Sequence, residues 1–407
     1  MQEKWRNLIR RLDAAIFSHQ VVEVRKELLK IVARGRIPRA AIADIANQCR
    51  RVDLPEHAVS LLNRYVRPHG KIPARPSEFE KCEYAASLSQ LGAHSEAAKL
   101  LEGNPNPSLS QWLFVQGMVY QKLWDFDRAI ACFERALFHP KVRTGRGVLS
   151  IKTHLAAALI RARGDYDRAD LLLEDVMNET SPTELGFLHR LAQMYGAEGA
   201  LMRGRPQECL DRVAEGLRLY PEQNPRHEAL SEGFASLAQL MLDPVKSLDS
   251  LRRVRAARDR LAELQAWEDG RLIAYHEAMI RGNRELFLRL YFGSPFPELQ
   301  KRLLPKIQEM GGMPVDFDWY LTSPKNGKGE GDRYVLDVVS GAHSGGEDRL
   351  KTGQLLQRVL QALGSDPFRR FRIGDLFDRV FPGEYYNPHT APDRIHQGVM
   401  RLRRWFE

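Results

Sequence analysis

The side chains best suited to chemistry lie near the C-terminus. Arg394, Gln397, Arg401 and Arg404 recur at helical spacing, on or near the side opposite Ile395, Val399, Leu402 and Phe406. A guanidinium is a rigid fork of donors that matches a phosphate or the edge of guanine, and a helix fits the major groove of B-DNA. His396 and Arg403 stand in the same helix, and His389 just before it; hydrogen bonding to DNA suits the two histidines better than metal binding. Arg369, Arg370 and Arg372 precede a shorter helix and can hold phosphate. The chemistry expected is anion recognition. The candidate DNA-binding set is Arg369, Arg370, Arg372, Arg394, His396, Gln397, Arg401, Arg403 and Arg404, with double-stranded DNA as partner. The alternative is a basic face that is merely solvated.

Patterns for bond-breaking chemistry are missing. YHEAM and RHEAL each contain His-Glu without the second histidine of a metalloprotease helix, and no P-loop, dinucleotide fingerprint or nucleophile elbow occurs. Asp125 and Asp127, like Asp165 and Asp167, look like carboxylate pairs. They fall in tight turns between helices, where aspartate caps the next helix. Cys49, Cys82, Cys132 and Cys209 lack metal-ligand spacing and read as free buried thiols. Neither an enzyme, nor a cofactor, nor a metal site is expected.

The elements that must position the arginines are three short helices. Leu355, Leu356, Val359 and Leu363 form one apolar stripe, and Asp366-Pro367 signals a turn. Ile373, Leu376, Phe377 and Val380 face inward in a second helix. Thr390 stands at a cap position before a third helix, with Pro392 and Asp393 in its first turn. Upstream, Phe317-x-Trp319-x-Leu321 and Tyr334-x-Leu336-x-Val338 alternate like two strands around a Gly- and Lys-rich loop, and Ser344 to Asp348 reads as a connector. The span 349–407 resembles the winged-helix effector domain of OmpR/PhoB-type response regulators. The resemblance rests on Leu350 to Leu363, Ile373 to Phe381 and the run Ile395, Val399, Arg401, Leu402, Arg403, Arg404. It departs at Gly398 and Met400, where family members carry side chains that touch DNA. The expected wing hairpin would begin where the sequence ends at Glu407. The family's receiver domain is absent, so a signal is expected to enter through the rest of the chain.

Internal repeats dominate that rest. In residues 109–140, Leu113, Gly117, Tyr120, Ala129, Phe133 and Ala136 keep the spacing of a tetratricopeptide repeat, which the segment resembles, with Pro140 one position short. Gly117 and Ala129 are small where two helices cross; Tyr120 and Phe133 fill the gap between hairpins. Equivalent slots hold Ala157, Gly164, Ala169 and Leu173, then Ala197, Gly204, Cys209, Val213 and Pro221. Ala129, Ala169 and Cys209 are 40 residues apart. Ala85, Gly92, Ala97 and Leu101 repeat the pattern upstream, Gly282 and Phe287 downstream, and 38–68 and 228–265 read as further helical pairs. The resemblance implies a solenoid whose first helices line a groove for a protein or peptide. By register that groove includes Phe114, Met118, Gln121, His154, Arg161, Met194 and Glu198, although Phe114 and Met194 would equally serve as packing between pairs.

The chain has 407 residues and a net charge of +9, of which 349–407 supplies +5 from eleven basic and six acidic residues. The excess favours an anionic partner. The N-terminal segment has no long apolar core, so neither a secretory signal nor a membrane span is expected, and a cytoplasmic location is. The expected fold class is mostly α: a right-handed tetratricopeptide-like solenoid over 1–310, a hairpin and linker over 311–348, and a winged-helix-like α+β module without an obvious wing over 349–407. Two functions remain open, a DNA-binding transcriptional regulator that senses a partner through its solenoid, with homodimerisation reading paired half-sites, and an interaction adaptor without DNA binding.

Overall fold

Helices that are apolar on one stripe and small where they cross can bury that stripe only by stacking in sequence order. The chain does this. The computed structural model describes residues 3–17, 20–67, 75–104, 106–140, 145–180, 185–219, 225–243, 247–314, 336–337, 341–343 and 349–406. By contacts it divides into two units: Met1–Val119 with Arg333–Leu363 and Phe371–Glu407, and Tyr120–Asp332 with Gly364–Arg370.

Unit 1 opens with α1 (Glu3–Phe17), α2 (Val21–Arg34), α3 (Arg39–Arg51), α4 (Pro55–Val66), α5 (Glu78–Gln90) and α6 (His94–Glu102), and contains most of α7 (Ser110–Lys122). Neighbours pack on one another from α1 to α6, and α3 also packs on α5. Ser77 starts α5 with a capping box: its hydroxyl accepts from Glu80 N at 3.1 Å, and its own N–H donates to Glu80 Oε2 at 2.7 Å. Ala85, Ala97 and Leu101 are fully buried, as the repeat spacing requires.

The same unit contains the C-terminal elements. A two-residue strand β1 (Leu336–Asp337) pairs antiparallel with β2 (Ala342–His343), Leu336 opposite His343. Of the two expected strands, the first, at Phe317 to Leu321, lies outside the described residues, as do the lysine-rich loop and the connector 344–348. β1 falls within the second, and β2 follows it. These four residues are the strand content among the described residues, so the expected α+β module is almost wholly helical there. Its helices are α18 (Leu355–Gly364), α19 (Ile373–Val380) and α20 (Ala391–Phe406).

This triplet is anchored on the first repeats. α19 packs on α6. Gly92, at φ +94, ends the α5–α6 turn with Asp375 so close that a Cβ would lie 2.6 Å from the Asp375 Cβ, so only glycine fits. Arg372 Nη1 donates to Gln90 O at 2.7 Å, and Tyr386 N donates to the buried Glu96 Oε2 at 2.8 Å. Burial raises the Glu96 carboxyl above its ordinary range, against the Tyr386 N–H and Arg67, which favour the charged form.

Unit 2 continues with α8 (Phe126–Leu137), α9 (Arg146–Arg163), α10 (Tyr166–Glu179), α11 (Gly186–Met202), α12 (Pro206–Leu219), α13 (Pro225–Leu242), α14 (Ser247–Glu263), α15 (Trp267–Arg281), α16 (Arg284–Phe292) and α17 (Pro297–Glu309). Each packs on the next from α8 to α15. α9 also touches α11, α11 touches α13, and α13 touches α15. First helices therefore line up along one wall, the arrangement expected of stacked helical pairs. Phe133, Ala129, Ala169 and Cys209 are fully buried at the crossings. Asp125 caps α8, accepting from Arg128 N at 3.2 Å. Asp165 makes no side-chain cap, which corrects the parallel reading of the two aspartate pairs. Asn283 caps α16, after Gly282 closes α15 in a left-handed turn at φ +58.

The four cysteines are free and buried, as their spacing predicts. Burial pushes the Cys49 and Cys209 thiols up to about 12 and Cys132 to about 11. Among the described residues no helix is long and apolar enough to cross a membrane.

Candidate functional site

The inner wall of unit 2 is built from the ends and faces of α7, α9, α11, α13 and α15. At its centre Glu198 on α11 is fully buried and accepts two bonds from Arg161 on α9, Nε to Oε1 at 2.8 Å and Nη2 to Oε2 at 2.7 Å. His276 Nε2 on α15 lies 3.1 Å from the same Oε1. Burial alone would raise the Glu198 carboxyl. Arg161 and the His276 hydrogen bond outweigh it and hold the group near 2. Arg161 also stacks over the Tyr195 ring at 5.2 Å.

A second pair repeats this arrangement one hairpin along. Arg226 at the start of α13 grips Asp269 in the first turn of α15 through both Nε and Nη2, the latter at 3.0 Å from Oδ1. The Asp269 carboxyl is held well below its usual range, because Arg226 outweighs the effect of burial. Gln121 on α7 donates to His154 O at 3.1 Å, and the His154 ring stacks on Phe133 with centroids 6.2 Å apart. Burial, then the charges of Arg161, Lys122 and Arg226, pull His154 down to about 3. His227 is drawn to about 4 by burial and Arg226. Burial lowers Lys122 too, and Arg226 beside it adds to the effect. Lys122 is half-buried and makes no hydrogen bond or ion pair among the described residues. The wall therefore carries His154 and His227 held below their ordinary range, two matched ion pairs, and the Lys122 ammonium among the charges of Arg226, Asp269, Glu268 and Arg161.

Of the sequence-derived groove set, Gln121, His154, Arg161, Met194 and Glu198 lie in this unit. Met194 and Glu198 are buried inside the wall and so support it rather than offer themselves to a partner. Phe114 and Met118, half-buried on the part of α7 in unit 1, are described with that unit. Lys122, Arg226, Asp269 and His276 escaped the sequence reading. All four belong to first helices, so extending the repeat register to helix ends is the signal that would have found them.

The nine arginine-centred DNA candidates separate into two groups. Arg369 belongs to unit 2, where its Nε lies 3.0 Å from Asp366 Oδ2 and its side chain is 6% exposed. Arg372 is spent on Gln90 O. Arg394 pairs with Glu384 at 2.6 Å and stacks over Phe381 at 3.8 Å. These three are drawn inward or neutralised, contrary to the expectation of open phosphate contacts. Arg370, His396, Gln397, Arg401, Arg403 and Arg404 are exposed. Arg401, Arg403 and Arg404 have no acidic partner among the described residues. Gly398 is buried against Val359 of α18, where a Cβ would sit 3.2 Å from Cγ2; it is a packing residue, while Met400 is 53% exposed on the outer face. No group of three metal-ligating side chains occurs among the described residues.

A third cluster joins Arg271 on α15 to the segment between α18 and α19. Arg271 is fully buried and donates through Nη2 to both oxygens of the fully buried Asp366, at 2.7 and 2.6 Å, and through Nε to Glu268 at 3.1 Å. Glu268 also accepts from Trp124 Nε1 at 2.8 Å. Sequence reasoning saw in Asp366 only the start of a turn.

No protein-family model matches the chain, and no curated protein matches it. A tetratricopeptide repeat protein from Parabacteroides merdae, known from its crystal structure, is similar at 15% identity over 70% of this chain and 98% of that one, with a TM-score of 0.38. The tetratricopeptide resemblance of this chain thus rests on the residues quoted for it.

Proposed function

We infer that the chain is a non-enzymatic DNA-binding regulator. α20 enters the major groove, and the inner wall of unit 2 takes the protein or peptide whose presence is sensed. One observation carries the reading. Arg401, Arg403 and Arg404 are exposed in the last turns of α20 and have no acidic partner among the described residues, a density of unmatched guanidinium that Arg252, Arg255 and Arg260 on α14 approach. Gln397 continues the side of Arg401 and Arg404 toward the helix start, and His396 that of Arg403. α18 and α19 supply the support that such a helix needs. Three arginines on phosphates or guanines would each release counterions.

The test is fluorescence anisotropy of the full chain with duplex DNA across a salt series. The triple variant Arg401→Ala, Arg403→Ala, Arg404→Ala should flatten the slope of log K against log salt by roughly 2 to 3, since each arginine–phosphate pairing contributes about 0.9. An unchanged slope would remove α20 from the interface.

A second reading, an interaction adaptor whose C-terminal helices cap the first repeats, is favoured by the anchoring of α19 on α6 and by the internal engagement of Arg372 and Arg394. It expects no duplex affinity even at low salt, and a partner competing at Lys122 and Arg226.

A further inference from the structure

Unit 2 contains a cavity of about 430 Å³ among α14, α15, α16 and the segment 364–370. Its size is within the range that encloses small organic ligands, roughly 300 to 1,000 Å³. The walls are mixed. Trp267 and Phe368 contribute rings and Leu286 an aliphatic side, while Arg258 and Glu277 provide charge.

Two donors in these walls are under-used. The Trp267 indole N–H is buried without a hydrogen-bond acceptor among the described residues. A buried donor left unmatched costs free energy that an incoming acceptor would recover. Arg258 carries five N–H groups. Its described engagement is one long contact, Nη1 to Glu277 Oε2 at 3.4 Å, and Glu277 turns its other oxygen to Arg281 at 2.8 Å. Burial lowers the Arg258 guanidinium from its ordinary range, against the charges of Glu277 and Asp259. Of the other charged groups in the lining, Glu285 and Arg289 match each other at 2.7 Å, Arg271 is engaged with Asp366 and Glu268, and Asp259 is a further carboxylate next to Arg258.

We propose that this cavity binds a small organic monocarboxylate with an apolar body, its carboxylate on Arg258 and the Trp267 N–H and its body against the Trp267 and Phe368 rings. Carboxylate suits both donors, since each is a hydrogen-bond donor and one is a cation. The apolar body suits the rings, whose burial against it adds hydrophobic stabilisation. Phe368 lies two residues from Asp366, which Arg271 holds. An occupant would add contacts to a segment that this ion pair already holds.

The experiment screens a panel of aromatic and branched-chain monocarboxylates against the full chain, each beside its primary amide. Thermal melting and hydrogen–deuterium exchange are the readouts. At least one acid should raise Tm in a saturable way while its amide does not. Protection should fall on 258–271 and 364–370. Arg258→Gln should weaken binding on the order of tenfold, as expected when one charge-assisted hydrogen bond is removed. Leu286→Trp, which fills the cavity, should abolish binding with circular dichroism unchanged. The proposal is overturned if no acid of the panel saturates at millimolar concentration, if amides bind as well as acids, or if protection lies elsewhere. None of these readouts involves DNA, so this site and the α20 interface fail or stand separately.

Discussion

Replacing Arg271 with alanine strips Asp366 of two hydrogen bonds at 2.6 to 2.7 Å and Glu268 of one at 3.1 Å, and leaves both carboxylates in the interior. Breaking a buried ion pair from one side costs about 3 to 5 kcal/mol, because the orphaned charge keeps its desolvation penalty. Here the orphans retain other partners. Asp366 keeps Arg369 Nε at 3.0 Å and Phe368 N at 3.2 Å, and Glu268 keeps Trp124 Nε1 at 2.8 Å. The loss should therefore sit at the lower end, about 3 kcal/mol, which a domain of ordinary stability survives. Urea denaturation measures the size of the loss and hydrogen exchange its place: protection should fall over 364–370 before it falls over α9 to α12. Adding Asp366→Asn to Arg271→Ala removes both charges, and the double variant should recover at least half of the single-variant loss. A single-variant loss below about 1 kcal/mol, typical of a solvent-exposed pair, would refute the argument that this pair is dry. So would strict additivity in the double variant.

Other expectations follow from the same structure. Asp125→Ala should cost about 1 kcal/mol by urea denaturation through the missing cap of α8, whereas Asp165→Ala, which removes no cap bond, should cost under about 0.5 kcal/mol. His154 and His227 are held below their ordinary value, to about 3 and about 4, so the folded chain keeps them neutral while the unfolded chain takes up protons below about 6.5. Stability should thus fall as pH drops from about 6.5 toward 4, by about 2 kcal/mol per histidine at about pH 5. Urea midpoints across that range test this; a flat profile, or one unaltered in His154→Gln, contradicts it. Cys49, Cys82, Cys132 and Cys209 should react with a thiol reagent only on unfolding, and rapid labelling of the native chain would show that a thiol is open.

The helical pairs were legible because their signals are local. The 40-residue recurrence of Ala129, Ala169 and Cys209 marks crossings that only small side chains fill, and all three are fully buried. The three C-terminal helices were legible from apolar periodicity, their boundaries falling within a few residues of the pattern. Repeat register places His154, Arg161 and Glu198 on first helices, and α9 and α11 do bring Arg161 and Glu198 together. Contacts between residues far apart in sequence were not legible. Asp366 reads as a turn because Asp-Pro is a turn signal, and nothing near it announces Arg271, 95 residues away. Arg394 reads as part of one row with Arg401, and Arg369 and Arg372 read as phosphate contacts, because sequence cannot show which arginines find a carboxylate or a carbonyl. Gly398 reads as a gap in an outward face, yet it is the close-approach point between α18 and α20.

The most direct test of DNA recognition by α20 is selection from a pool of random-sequence duplexes by the full chain, beside the Arg401→Ala, Arg403→Ala, Arg404→Ala variant. Enrichment of a common sequence by the parent chain, abolished in the variant while its circular dichroism is unchanged, is the expected result. Recovery without a shared sequence, or the same sequence recovered by both chains, would contradict the assignment.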